Sequence, residues 1–447
     1  MNPSKEFFKA IDQVACQKKP PSVMVRARHS LLDYLAVTCA GAVFQSEKLK
    51  EYFTFAEPEE GCFKAIGTGK NLALKEAVFL NGLNGHALDL DDGTNSGIIH
   101  LGSPIFSLLL PLAQRYDTTI EKLLMAAIIG YEASYTMAVS IQPKHKSLGY
   151  HATGTCGMLG ATLAAAYMLD LAENERYQAF AAACVAASGM LKVLDDGSEL
   201  KPYNVAKTAL LSLTSLQLAK AGFKGHEDPL GGSRGFFKMM TGDENIPVEQ
   251  TLLGGTYAIM KTYTKPYASC RYTHPPIEAA IRLRNRYGIR AEDVRSIKVE
   301  TYELAVSGHD HKEAMGAYSA KMSTPYSVAV AIAFGRAGLQ EFVGPVLEDR
   351  FIKKLARKVQ VVGDKSLSRE FPRMQSAILT IETIQGAYSE RVDFPKGEPE
   401  NPLTEEEFRD RYEALMSYGR IGKNTYTPLY EIAGQPDRKA SDLIKGL

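Results

Sequence analysis

Five titratable side chains crowd one stretch, residues 81–111, reading NGLNGHALDLDDGTNSGIIHLGSPIFSLLLP: His86, Asp89, Asp91, Asp92 and His100. His86 and Asp89 stand three apart near the end of a helical pattern carried by Leu72, Ala73, Ala77, Leu80, Leu83 and Ala87, so they lie close to one face. Carboxylates there oppose the helix macrodipole, where Lys or Arg would be stabilising. Local rules broken in this way are expected at functional sites. Gly93 to Gly97 is a turn, and Gly102, Ser103 and Pro104 open a new helix, with Ser103 as N-cap and Pro104 at the first helical position. His100 would then sit beside helix-start N–H groups, with carboxylates across the turn. That is an acid/base group next to an anion site. The competing reading is a capped loop whose Asp side chains satisfy turn N–H groups.

Three more segments repeat this logic. GYHATGTCG, residues 149–157, places His151 just before a helix that begins near Thr153 or Thr155. LKPYN, residues 200–204, has Lys201 immediately before Pro202 at a helix start. KPYASCRYTHPP, residues 265–276, carries Lys265, Cys270, Arg271 and His274 ahead of a Pro-started helix. A cation just outside a helix N-terminus is disfavoured unless an anion joins it. If the four places converge, they make a pocket for a small polyanion, most simply a di- or tricarboxylate. Lys and Arg would hold its carboxylates by charge-assisted hydrogen bonds, and His100 or His151 would move a proton at the adjacent carbon.

Other chemistries fit less well. His86, Asp89, Asp91 and His100 could build a metal site, but there is no HExxH motif and Asp clusters are common in turns, so no metal is expected. Cys270 with His274 four residues on lacks a nucleophile signature. Gly231–Gly235 (GGSRG) has no preceding strand and no Lys-Ser/Thr ending, so it is not a phosphate loop, and His309-Asp310-His311 reads as an exposed loop.

The elements that must position these groups divide the chain in two. From Ser4 to about Lys261 the pattern is almost wholly helical, without convincing strand alternation. The blocks 120–139, 155–169 and 178–193 are apolar or rich in small residues on most faces, as helices inside a large bundle are. After about Lys265 strands enter: Val294–Tyr302, Lys358–Val362, Ser376–Ile384 and Tyr388–Phe394, the last two a hairpin around Gln385-Gly386. Helices are expected over Pro275–Tyr287, Thr324–Phe334 and Val346–Lys354. A Pro-rich linker, EPENPLT, precedes a helix over Thr404–Met416. The expected fold is mostly α: an all-helical domain over 1–264, an α+β domain over 265–399, and a C-terminal segment, 400–447, that returns to the helical domain.

At 447 residues two domains are natural. Hydrophobic content of 45% and charged content of 23% are those of an ordinary globular protein. A formal charge of +1, from 52 basic and 51 acidic residues, gives no footprint for nucleic acid or an anionic membrane surface. Six scattered cysteines without a CxxC pair point to a reducing compartment. The N-terminus lacks a signal-peptide pattern, and no uninterrupted apolar run reaches membrane-spanning length. A cytoplasmic protein is expected.

Taken together, HALDLDDG, HLGSP, GYHATGTCG, LKPYN, KPYASCRYTHPPIEAA and PKGEPENPLTEEEF, in this order, resemble the MmgE/PrpD family over nearly the whole chain, from about Leu31-Leu32-Asp33 onward. That family includes 2-methylcitrate dehydratase, cis-aconitate decarboxylase and iminodisuccinate epimerase. The resemblance implies a large all-helical domain with a smaller α+β lid domain, a homodimer, no organic cofactor and a small-molecule polycarboxylate substrate. By motif it makes Asp89, His100, His151, Lys201 and Lys265 catalytic, and Thr94, Cys270, Arg271 and His274 substrate-binding. At the Cys270 position the decarboxylase branch has a His-bearing pattern. The dehydratase branch has DDTWHP where this chain has Asp91-Asp92-Gly93-Thr94-Asn95, which argues against 2-methylcitrate. The His-Pro-Gly of other branches is His100-Leu101-Gly102 here, and the usual His and Gly after Lys201 are Asn204 and Ala206. The expectation is a cofactor-independent lyase of the cis-aconitate decarboxylase type. The alternatives are an iminodisuccinate epimerase-like isomerase, a 2-methylcitrate dehydratase-like hydro-lyase and an inactive polycarboxylate binder.

Overall fold

Two glycines set how closely the central helices approach. In the computed structural model, which describes residues 2–193, 198–248 and 255–447, helices Ile120–Ile141 and Ala152–Met168 meet at Gly130 and Gly160. A Cβ on Gly160 would lie 1.8 Å from Ser134 Oγ and 2.5 Å from the Gly130 carbonyl oxygen. Only a residue without a side chain allows this crossing. A second close approach pairs helix Leu74–His86 with helix Lys201–Lys220, where a Cβ on Gly82 would stand 2.7 Å from Ala206 Cα. The methyl group of Ala206 is therefore accommodated by the absence of one on the facing helix.

Chain contacts divide the molecule into two units. The first comprises Met1–Leu191, Leu200–Tyr263 and Glu405–Leu447. It is helical, except that β1 (Glu60–Ala65) and β2 (Lys70–Leu72) form an antiparallel hairpin, which corrects the expectation of a strandless first half. Only Ala65 and Leu72 of its two strands are buried, leaving no apolar alternation to read in the sequence. The Ile120–Ile141 helix is long and apolar enough to cross a membrane by length and hydropathy, although Glu132 interrupts its apolar run. However, 83% of its apolar window is buried, and its Glu132, 1% exposed, accepts the Ala258 N–H at 2.8 Å. After the second unit, helix Glu405–Tyr418 packs on helix Pro21–Phe44.

The second unit comprises Lys192–Glu199 and Thr264–Thr404. Its sheet has the order β4 (Val359–Gly363), β3 (Val294–Thr301), β5 (Ala377–Thr383), β6 (Ala387–Val392). β3 pairs parallel with β4, Val299 opposite Val361, and antiparallel with β5, Val299 opposite Leu379. The alternation in β3 buries Val294, Ile297, Val299 and Thr301, as a half-buried strand requires. Helix His274–Tyr287 lies against β5 and β6 and ends at Gly288, whose φ of 61° suits glycine. The helix expected over Val346–Lys354 divides instead into a 3₁₀ turn, Gly344–Glu348, and a helix, Arg350–Arg357. Asp349 causes the break: its side chain accepts the Phe351 N–H at 2.7 Å and caps the second helix.

Candidate active site

Helix Leu74–His86 ends in a turn in which Asp89 takes φ 52°, its N–H bonded to the His86 carbonyl at 3.1 Å. Asp tolerates this left-handed conformation better than most residues. Ile98, at φ 50°, is a costlier case, because a branched Cβ crowds the backbone there. In this loop Thr94 and Ile99 exchange backbone hydrogen bonds of 3.0 and 3.4 Å, and the Tyr263 N–H donates to the Gly93 carbonyl at 2.9 Å. Thr94, expected as a substrate contact, is 2% exposed within this small hairpin. Strained residues thus bracket the loop, held by its own pairing.

Asp92 joins this loop to the next helix. Its Oδ1 accepts the Gly102 N–H at 2.8 Å, its Oδ2 accepts the Tyr131 hydroxyl at 2.5 Å, and its backbone carbonyl lies 2.9 Å from His100 Nδ1. Asp92 therefore caps helix Gly102–Arg115, and the expected cap, Ser103, does not. The Ser103 hydroxyl lies within the first turn and turns to Asp91 Oδ2 at 2.8 Å and the Gly85 carbonyl at 3.1 Å. Gly102 makes room for this arrangement, since a Cβ there would stand 2.6 Å from the Tyr131 oxygen.

A carbonyl oxygen can only accept, so His100 Nδ1 carries a proton and Nε2 is the nitrogen left for chemistry. Nε2 lies 3.5 Å from Asp89 Oδ1. The same oxygen accepts Lys201 Nζ at 2.6 Å. Lys201 opens helix Lys201–Lys220, where Leu200, at the N-cap, has no side-chain oxygen to offer. His151 occupies the corresponding place before helix Ala152–Met168, its N–H on the Gly189 carbonyl at 3.0 Å. The Thr153 hydroxyl, in that helix's first turn, accepts the His100 N–H at 3.1 Å. His86 lies between the other two imidazoles, with ring centroids 4.7 Å from His100 and 6.2 Å from His151. Its Nδ1 donates to both oxygens of Asp91, at 2.8 and 2.9 Å.

Burial decides the protonation of this cluster. It pushes His86 down to about 4 despite Asp91, and holds His151 well below the ordinary imidazole range, an effect that Lys201, His86 and His100 reinforce and Asp89 opposes. Burial would raise Asp91, but the charges and hydrogen bonds of His100 and His86 outweigh it and keep that carboxyl well below its ordinary value. Burial raises Asp92 against the bonds from Tyr131 and Gly102. Among the described residues, His86 Nε2 and His151 Nδ1 are buried with no hydrogen-bond partner, an arrangement that calls for a ligand or solvent atom. His86, Asp89, Asp91 and His100 offer ligand atoms within 4.8 Å of one another, the four residues whose types could hold a metal. Asp89 Oδ1 is engaged by an ammonium and His86 Nδ1 by Asp91, while His86 Nε2 faces the site without a partner among the described residues.

Helices and turns of the first unit thus bring Asp89, His100, His151 and Lys201 together. The remaining expected residues belong to the second unit. Lys265 is 1% exposed, and Cys270 is half-buried with its N–H on the Lys321 carbonyl at 2.9 Å. Arg271 and His274 bond to one another. Arg271 Nε donates to Glu398 Oε1 at 2.9 Å, Nη2 pairs with the same oxygen, and Nη1 donates to His274 Nδ1 at 2.8 Å. His274 Nε2 then donates to the Ser269 carbonyl at 3.2 Å. A buried guanidinium needs a buried counter-charge, and Glu398 supplies it. The pair holds segment 269–274 in place. Asn204, where the family has His, donates to the Met190 carbonyl at 3.5 Å. Sequence reasoning misses Tyr131 and Thr153. Tyr131 lies in a mostly apolar helix with nothing to mark it, and Thr153 reads only as a helix start.

A family model described as the MmgE/PrpD N-terminal domain matches residues 5–249, and one described as the MmgE/PrpD C-terminal domain matches residues 267–423. Among known proteins the chain is similar to cis-aconitate decarboxylase of Aspergillus terreus, 26% identical over 421 residues, covering 89% of this chain and 85% of that one. It is also similar to a cis-aconitate decarboxylase-like protein, oryM, of Aspergillus oryzae, 25% identical over 442 residues, covering 93% and 91%.

Proposed function

The chain belongs to the MmgE/PrpD family of enzymes, and from that premise we propose a cofactor-independent lyase that decarboxylates cis-aconitate or a close tricarboxylate. The observation that carries this reading is the shared oxygen, Asp89 Oδ1, between Lys201 Nζ and His100 Nε2. Such a reaction needs a cation for a substrate carboxylate and a proton donor beside it. As the carbon–carboxylate bond breaks, its electron pair moves through the allylic system and a proton is added at the far carbon. Carbon dioxide leaves. Lys201 holds a carboxylate, His100 Nε2 delivers the proton, and Asp89 orients both. His151 is a second imidazole for proton exchange in this proposal. The names of the similar proteins support the choice of substrate.

A second reading draws on a specific observation. His151 Nδ1 is a second buried imidazole nitrogen without a partner among the described residues, and two proton-transfer groups are what epimerisation of an iminodisuccinate-like compound needs.

Proton NMR in deuterated buffer with cis-aconitate, citrate, 2-methylcitrate and aspartate-derived imines tests both. Itaconate from cis-aconitate supports the lyase. Deuterium entering an intact skeleton replaces it with the epimerase, and binding without turnover replaces both with a polycarboxylate binder. A cytoplasmic homodimer is proposed alongside, with sedimentation of the purified chain as the check on assembly.

A further inference from the structure

Helix Glu405–Tyr418 follows the entire second unit in the chain, yet one of its side chains reaches the loop of the site. Arg411 Nη1 pairs with Asp33 Oδ1, and Arg411 Nη2 donates to the Leu90 carbonyl at 3.0 Å. Leu90 lies between Asp89 and Asp91. Asp33, 2% exposed, sits in the middle of helix Pro21–Phe44, so one end of the contact is anchored to a rigid element. Asp89 holds a left-handed φ of 52°, and such a conformation persists only where its surroundings over-determine it. The carbonyl that Arg411 grips is on the very next residue.

We propose that Arg411 is a positioning residue: by spanning Asp33 and the Leu90 carbonyl it fixes the turn that aligns Asp89 with Lys201 and His100. A planar guanidinium presents two N–H groups to two acceptors at once, which an ammonium does not do with the same geometry. The catalytic part of this inference rests on the lyase reading above, whereas the geometric part does not. The rival explanation is that Arg411 only neutralises the buried charge of Asp33.

The full chain with Arg411→Met/Asp33→Asn separates the two, because the substitutions remove the charge pair together and leave the Leu90 carbonyl ungripped. Two readouts are taken: the His100 imidazole resonances in histidine-labelled protein, identified by their loss in His100→Ala, and kcat and KM on cis-aconitate. The double variant is expected to melt near the parent temperature, with displaced His100 resonances. Its kcat should be lower by about ten-fold or more with KM nearly unchanged, since small misplacements of reacting groups cost that much. Arg411→Lys, which keeps the charge opposite Asp33, should fold and show the same displacement to a lesser degree. Parent-like His100 resonances in both variants would overturn the proposal. If the parent protein turns over nothing, the lyase reading fails, and the resonances still decide whether Arg411 sets the geometry.

Discussion

Lys201 Nζ and His100 Nε2 face the same oxygen of Asp89, at 2.6 and 3.5 Å, although Lys201 and Asp89 are 112 positions apart in the chain. An ammonium and an imidazole therefore compete for one carboxylate. A substrate carboxylate that draws Lys201 away leaves Asp89 to pair with His100. In this hypothesis binding the anion arms the acid. The motivating geometry predicts that Lys201→Met loses about 100-fold or more in kcat/KM, the scale of one acid/base contribution. It should also be destabilised, because breaking a buried pair costs about 3–5 kcal/mol. Steady-state kinetics and urea melts check both, and wild-type kcat/KM in this variant would end the idea.

His100→Ala should lower kcat by about 10² to 10⁴-fold, the range for a general acid. It should fold but melt lower than the parent, because the buried Asp92 carbonyl loses its partner, at a cost of about 1–3 kcal/mol. A variant with full turnover would remove His100 from the mechanism.

Stability should fall as pH drops from about 6.5 to 4. His29, His86 and His145 are each held down to about 4, foremost by burial, and His151 is held well below its ordinary value. Between those values the unfolded chain binds more protons than the folded one, so stability rises with pH across the window. Asp33, raised to about 6 by burial, works in the opposite direction: its contribution is full below the ordinary carboxylate value and is lost as pH rises through 6. Asp92, also raised by burial, acts in the same sense as Asp33, and two carboxyls do not offset four imidazoles. Thermal melts between pH 4 and 7 should slope accordingly, and His145→Gln should flatten the slope. A melting temperature independent of pH over this range contradicts the assignment.

Gly160→Ala should destabilise the first unit by about 1–3 kcal/mol, the usual cost of overpacking. The added methyl would meet the Gly130 carbonyl, a backbone atom that cannot swing aside. Equilibrium urea denaturation measures it, and a variant as stable as the parent would show that the helices separate freely at this crossing.

The sequence by itself determined most of the elements and pointed to four residues that the first unit brings together. Helix Thr324–Phe334 and strands β3 to β6 were legible to within a residue or two because periodicity and turn residues act over short distances. Asp89, His100, His151 and Lys201 stood out because their charges lie where a helix end disfavours them. The β1–β2 hairpin was not legible, because it buries too little to leave a pattern.

Only the tertiary structure decided which partner each charged group takes. Asp92, not Ser103, caps helix Gly102–Arg115, because Tyr131, 39 positions away, holds its other oxygen. Arg271 closes on Glu398 across 127 positions, and Arg411 on Asp33 across 378. Local rules state that a buried charge must be answered, and packing of distant segments determines which group answers it.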